Sequence, residues 1–155
     1  MFTPKQLLLL VLLLILAVLF GLTFFMLNPP KIKNLPVAKL KVGEKVIQVE
    51  LASSGLAQMK GLSDRPSLEK DWGMLFQFPD ATVRTMWMKD MNFGLDVIWI
   101  REGTIVKIDE NVYPKGLGQP IVSSVEKTDS FLEVNAGFVK THQIKVNDKV
   151  TLLNP

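Results

Sequence analysis

The stretch Gly73–Ile100, GMLFQFPDATVRTMWMKDMNFGLDVIWI, decides the fold. Its apolar runs Met74–Phe78, Val83–Met88 and Leu95–Arg101 are rich in Met, Phe, Val, Ile and Trp. Pro79, Asp80 and Gly94 punctuate them, so they read as buried strands. The segment Lys89-Asp90-Met91-Asn92-Phe93-Gly94 is abruptly charged, and Asp96 follows inside the third run. Charge beside core strands is costly unless it finds a partner, so any function beyond packing is expected here.

Alternate residues of a strand share a face. Val83, Thr85, Trp87 and Lys89 therefore gather a hydroxyl, an indole and an ammonium on one side, with Arg84, Met86 and Met88 on the other. Asp96 aligns with Ile98 and Ile100, which draws its carboxylate into an apolar setting. Such a group shifts its pKa or finds a partner, and Arg65, Arg84 and Lys89 are the available cations. Asp96 reads first as a fold-fixing carboxylate bonded to loop amides or to Arg65. Trp87 serves equally as core or as ligand platform. Lys89 is disfavoured beside core strands unless its head reaches water or an acid. Glu133 reads as a solvated strand residue, with a second functional acid as the alternative. The candidate ligand-binding residues are thus Arg65, Trp87, Lys89, Asp96 and Glu133; no catalytic or metal-binding residue is assigned.

Working outward, Ala38–Val42 and Lys45–Leu51 alternate apolar with polar around Gly43-Glu44, a β-hairpin pattern. Ser53 or Ser54 caps a short helix that ends at Gly61, with Leu56 and Met59 expected to face inward. Ser63–Asp71 is a polar loop carrying Arg65. Glu102-Gly103 turns the chain into a strand over Thr104–Glu110, and Asn111–Ser124 is a Gly/Pro-containing, mobile loop. Phe131–Val134 and Lys149–Leu153 are closing strands, with a helical turn over Ala136–Thr141 and a tight turn at Asn147-Asp148 between them. The fold class is α+β, mainly β. Short antiparallel strands and one or two short helices make a compact barrel-like or sandwich domain.

Ahead of this domain, Leu7–Leu27 carries no charge. About 21 residues at ~1.5 Å rise span roughly 32 Å, close to the ~30 Å hydrocarbon thickness. The run is longer than a signal-peptide core and leaves through Phe24 and Phe25, which suits an uncleaved signal-anchor. Residues 1–6 are then a tail, 7–27 the transmembrane helix, 28–36 a spacer and 37–155 the domain. Lys31, Lys33, Lys39 and Lys41 follow the helix against Lys5 before it, a count that taken alone puts the domain in the cytoplasm. The layout of one hydrophobic run after a short basic tail favours the extracytoplasmic side instead.

Composition excludes several chemistries. The chain has no Cys, which removes disulfides and thiolate nucleophiles, and its single histidine, His142, leaves little for a His-based metal site or a Ser-His-Asp relay. A net charge of +3 with interspersed signs gives no basic stripe for nucleic acid.

Five pieces resemble one family. They are Met59-Lys60-Gly61-Leu62, Gly73-Met74-Leu75-Phe76-x-Phe78, Trp87-Met88-Lys89, Leu95-Asp96-Val97-Ile98, and Phe131-Leu132-Glu133-Val134-Asn135-Ala136-Gly137. In order and spacing they are similar to the bacterial and archaeal "domain of unknown function 192". Asp90 stands where that family usually has Asn, and Gly94 where it often has Pro. The resemblance implies a small β-rich domain, frequently exported or membrane-tethered, and supplies no reaction, cofactor or ligand.

Three functions follow. The first is a membrane-held binding module for a small molecule, a glycan or a protein, with Trp87 beside a cation suiting an anionic or sugar-like ligand. The second is a hydrolase pairing Asp96 and Glu133 as acid and base. The third is Cu(I) handling through Met86, Met88 and Met91, whose thioethers are soft ligands. No cofactor and no nucleic-acid partner is assigned; the membrane is the one partner the anchor names.

Overall fold

The computed structural model describes residues 3–27, 34–114 and 121–153. Most of the expected spacer and the middle of the expected Gly/Pro loop lie outside them. The chain divides into two units, residues 1–33 and 34–155.

Among its described residues the first unit forms one helix, α1 (Pro4–Leu27). Thr3 starts it with a capping box: its Oγ1 accepts from Gln6 N, and its own N–H donates to Gln6 Oε1 at 2.9 Å. Pro4 at the first helical position lacks only an N–H that would be orphaned anyway. Over Pro4–Phe24 the mean hydropathy is 3.2, and the apolar side chains are exposed. This helix is long and apolar enough to cross a membrane.

The second unit is a mainly β barrel, as the sequence predicts. In chain order come β1 (Val37–Val42), β2 (Lys45–Ala52), α2 (Gly55–Lys60), β3 (Trp72–Trp87), β4 (Leu95–Arg101), β5 (Thr104–Val112), β6 (Ile121–Asn135), α3 (Phe138–His142) and β7 (Val150–Leu153). They form one sheet in the order β5-β4-β6-β3-β2-β1-β7. Its two edges meet: Val150 N donates to Gly103 O at 2.9 Å and Ile105 N to Asp148 O at 3.0 Å. The seam between β5 and β7 closes the barrel, which leaves no free edge along it.

Three expectations about strands are corrected. Met74–Phe78 and Val83–Met88 are one strand, β3, whose pairing with β6 shifts between Gln77 and Thr82. The partner β6 begins at Ile121, ahead of the expected Phe131, so the connection after β5 is shorter than the expected loop at both ends. The polar run Val122–Ser130 concealed this strand. The β2–β3 pair is parallel, against an expectation of antiparallel strands throughout. A parallel pair needs a long crossover. Residues 53–71 supply it, and they bring α2 with them.

Registers show why the apolar runs are continuous. Leu51, Leu75, Leu132 and Ile98 lie in one cross-strand row, with Glu50, Met74, Glu133 and Val97 in the next. The first row belongs to the barrel interior with Leu40, Val49, Ile105 and Phe138. The second faces outward, yet Met74 and Val97 are fully buried in a second core with Phe76, Met88, Trp99 and Phe131. Ala57 and Leu62 of the crossover cover that face from outside, and Met86 reaches it from the far end of β3. The sheet is thus covered on both faces, and all of Leu95–Ile100 is buried. Gly73 is required by the close approach of β6. A Cβ there would stand 2.8 Å from the backbone oxygen of Glu133.

Candidate functional site

The outer core is incomplete. Between α2, the distal half of β3 and the outer face of β3 and β6 runs a cleft of about 370 Å³. Phe76 and Phe131 form its floor, stacked with ring centroids 4.3 Å apart. Gln58, Met59 and Gly61 make one wall; Thr85, Met86 and Trp87 make the opposite one. Local chemistry sets the α2 wall. Ser54 caps the helix through Ala57 N, Gly61 ends it at φ 48°, and Gln58 Nε2 donates to Ala52 O at 3.2 Å and Gln77 O at 2.7 Å. Gln58 and Ala57 therefore dock the helix. Leu56 and Met59, expected to face inward, are 55% and 79% exposed. A helix of under two turns pinned along one face must aim its other apolar residues out, and Met59 aims at the cleft mouth.

Glu133 lies in the cleft lining and is only 5% exposed, which corrects its reading as a solvated strand residue. The crossover folds over the outer face and buries it. Among the described residues, no donor reaches its carboxyl. Burial pushes that carboxyl up to about 8, against the weaker pull of the Arg65 charge. Arg65 is committed elsewhere: Nη1 and Nη2 donate to the two carboxylate oxygens of Glu50 at 2.6 and 2.7 Å. This bidentate bond holds the guanidinium above its already high ordinary value. Glu50 precedes Met74 and Glu133 in the cross-strand row, so Arg65 lies beside Glu133 without bonding it.

Asp96 is fully buried, and its two oxygens accept from Asn111 N at 2.8 Å and Val139 N at 2.9 Å. It ties the end of β5 and the first turn of α3 to β4, the loop-amide role expected of it, without Arg65. Asp96 opposes Val134 while Glu133 opposes Val97, so the two carboxylates lie on opposite faces of the sheet. The structure does not bring them together as an acid–base pair.

Trp87 stands at the cleft rim, 59% exposed, with Lys89 Nζ 5.6 Å from its ring centroid. These two meet as expected. Lys89 is exposed, 4.0 Å from Asp90 Oδ2, and outside the cleft lining. Backbone groups of this segment are structural: Lys89 O accepts from Ser63 Oγ at 2.9 Å and Asp90 O from Asp64 N at 2.7 Å. Asp90 itself is left-handed at φ 55°, a conformation that short polar side chains tolerate. Met86 and Met88 are buried in the outer core, with Met91 packed against it.

Sequence reasoning missed Glu50, Gln58 and the Phe76–Phe131 floor. Glu50 alternates with apolar neighbours like any exposed strand residue. Only the crossover, distant in the chain, shows that its face is covered.

Comparison with known proteins bears on the fold and the family. No curated protein matches the chain. A crystal structure of a proposed transcription regulator from Sinorhizobium meliloti 1021 is similar at 30% identity and TM-score 0.74, covering 79% of this chain and 98% of that one. A protein of unknown function from Novosphingobium aromaticivorans DSM 12444 is similar at 26% identity and TM-score 0.71, covering 80% and 91%. The model of the family described as Uncharacterized ACR, DUF192, matches residues 38–152, from β1 to β7 with the whole cleft between them. The chain therefore belongs to the DUF192 family.

Proposed function

We propose that the domain is a small-ligand binding module, tethered to a membrane by α1 on the extracytoplasmic side, with its ligand seated in the cleft between α2 and β3. One observation carries this reading: a buried Glu133 carboxyl, without a hydrogen-bond donor among the described residues, sits among aromatic walls. A carboxyl held this way is open to a donor or a positive charge that a ligand brings. The volume of about 370 Å³ falls in the range of small-molecule pockets, roughly 300–1,000 Å³, and suits a metabolite or one sugar unit better than a protein surface. Trp87 at the rim and Phe76 and Phe131 on the floor supply apolar contact, while Glu133 supplies orientation.

The test is a thermal-shift screen of small molecules on the full chain in detergent, run beside Thr85→Trp. That substitution fills the cleft from its exposed rim, so the unliganded melting point stays within about 3 °C of wild type. Ligands are expected to raise the wild-type melting point and leave the variant unmoved. Equal shifts in both proteins sink the cleft as the site. Topology is read separately by protease added to spheroplasts: digestion of the domain is expected, and its survival places the domain in the cytoplasm.

A further inference from the structure

The charges around the cleft are unevenly matched. Arg65 of the crossover is taken by Glu50 of β2, and Lys60 of α2 pairs with Asp64. Arg84 of β3 donates to Asp80 and lies 3.9 Å over the Phe78 ring. Lys89 neighbours Asp90, and Asp109 of β5 accepts from both Lys107 and the Trp99 indole. Glu133 is the one acid lining the cleft, and among the described residues it has no cation of its own. Lys60 also lines the cleft, but it is half-exposed and paired with Asp64, so an anionic ligand seated against Phe76 and Phe131 would meet the Glu133 carboxyl.

We propose that the cleft selects a small ammonium compound, its positive charge paired with Glu133 and its carbon groups held against Phe76, Phe131 and Trp87. This rests on the reading of the cleft as a ligand site and adds the chemical class. Aromatic walls attract cations through the negative faces of their rings, and a desolvated setting strengthens that attraction. Pairing also removes the cost of burying an unmatched carboxylate. The rival occupant is a neutral ligand that accepts a hydrogen bond from protonated Glu133.

These occupants respond oppositely to pH. An ammonium requires the ionised carboxyl, so below a Glu133 pKa of about 8 its binding must expel a proton. Its affinity then falls ~tenfold for each pH unit of acidification. A neutral acceptor requires the proton and weakens as pH rises.

The probes are choline, whose charge does not titrate, and its neutral isostere 3,3-dimethylbutan-1-ol. Both are titrated calorimetrically into the full chain in maltoside detergent between pH 6 and 9. Choline is expected to bind ~tenfold or more tighter than the alcohol at pH 8.5, to weaken on acidification, and to lose its preference in Glu133→Gln. Glu133→Met, which brings no new polar group, is the second variant; both should melt at or above wild type. Equal binding of the two probes overturns the ammonium inference while the cleft remains a site. Affinity for the alcohol that rises on acidification overturns it in favour of the neutral acceptor. Absence of binding by either probe overturns it as well, and the Thr85→Trp screen then decides the cleft separately. Repeating the choline titration in phosphatidylcholine and phosphatidylglycerol nanodiscs separates two sources of the ammonium. Weakening confined to phosphatidylcholine assigns a lipid headgroup, and equal affinity assigns a free amine.

Discussion

The two faces of the central sheet each bury one carboxylate, and they treat it oppositely. Inside the barrel, Asp96 receives two backbone N–H groups and joins three elements. Outside, one residue along in register, Glu133 is buried to nearly the same extent and receives none from the described residues. Burial is therefore not what distinguishes structure from function here. Satisfaction is: a bonded buried charge holds the fold, and an unbonded one strains it.

The sharpest way to break this contrast is to remove Asp96. Asp96→Ala orphans two buried amides, each a charge-assisted bond, and is expected to lose roughly 3–5 kcal/mol in urea unfolding. A loss below about 1 kcal/mol would contradict its structural role.

Glu133→Gln should act in the other direction. The folded pKa of about 8 stands above the ordinary 4.5, so the folded state binds more protons between those values. The Glu133 contribution to stability is then constant below pH 4.5, declines by about 1.4 kcal/mol per unit up to pH 8, and levels beyond it. The substitution removes this slope and stabilises by on the order of 3 kcal/mol at pH 7. Stability of wild type that rises with pH over this window refutes the assignment.

Gly73→Ala tests whether both faces depend on the close approach of β3 and β6. The added carbon meets backbone, which cannot swing aside, and about 1–3 kcal/mol should be lost. Lys89→Met, at the exposed end of the signature segment, should change stability by less than about 0.5 kcal/mol, because exposed ion pairs contribute little. A larger loss would give Lys89 a structural part that its contacts do not show.

How far the sequence reveals all this follows the same division. The β1–β2 hairpin, the caps of α2 at Ser54 and Gly61, and the buried Leu95–Ile100 strand depend on near neighbours and are legible from them. The setting of Asp96 is legible too, since its alignment with Ile98 and Ile100 draws its carboxylate into an apolar interior. Glu133 is not. Whether its face meets water depends on Ala57 and Leu62 of the crossover, far earlier in the chain, and no local pattern records that. The outward Met59 and Leu56 escape for a related reason, since the anchoring contact of α2 is a glutamine amide reaching main-chain carbonyls. The polar ribbon of β6 hides a strand because Ser123, Glu126 and Lys127 carry no apolar alternation.

The seam between β5 and β7 has a consequence for biosynthesis. β7 is made after every other strand of the domain, yet it pairs with β1, the first of them, through Leu40 and Leu152. Until it arrives, β1 and β5 present open edges at which a neighbouring nascent chain can add. Chains stopped just before Val150 should accordingly be found in aggregates or in the hands of chaperones, even though both buried carboxylates and every residue of the cleft have already been made.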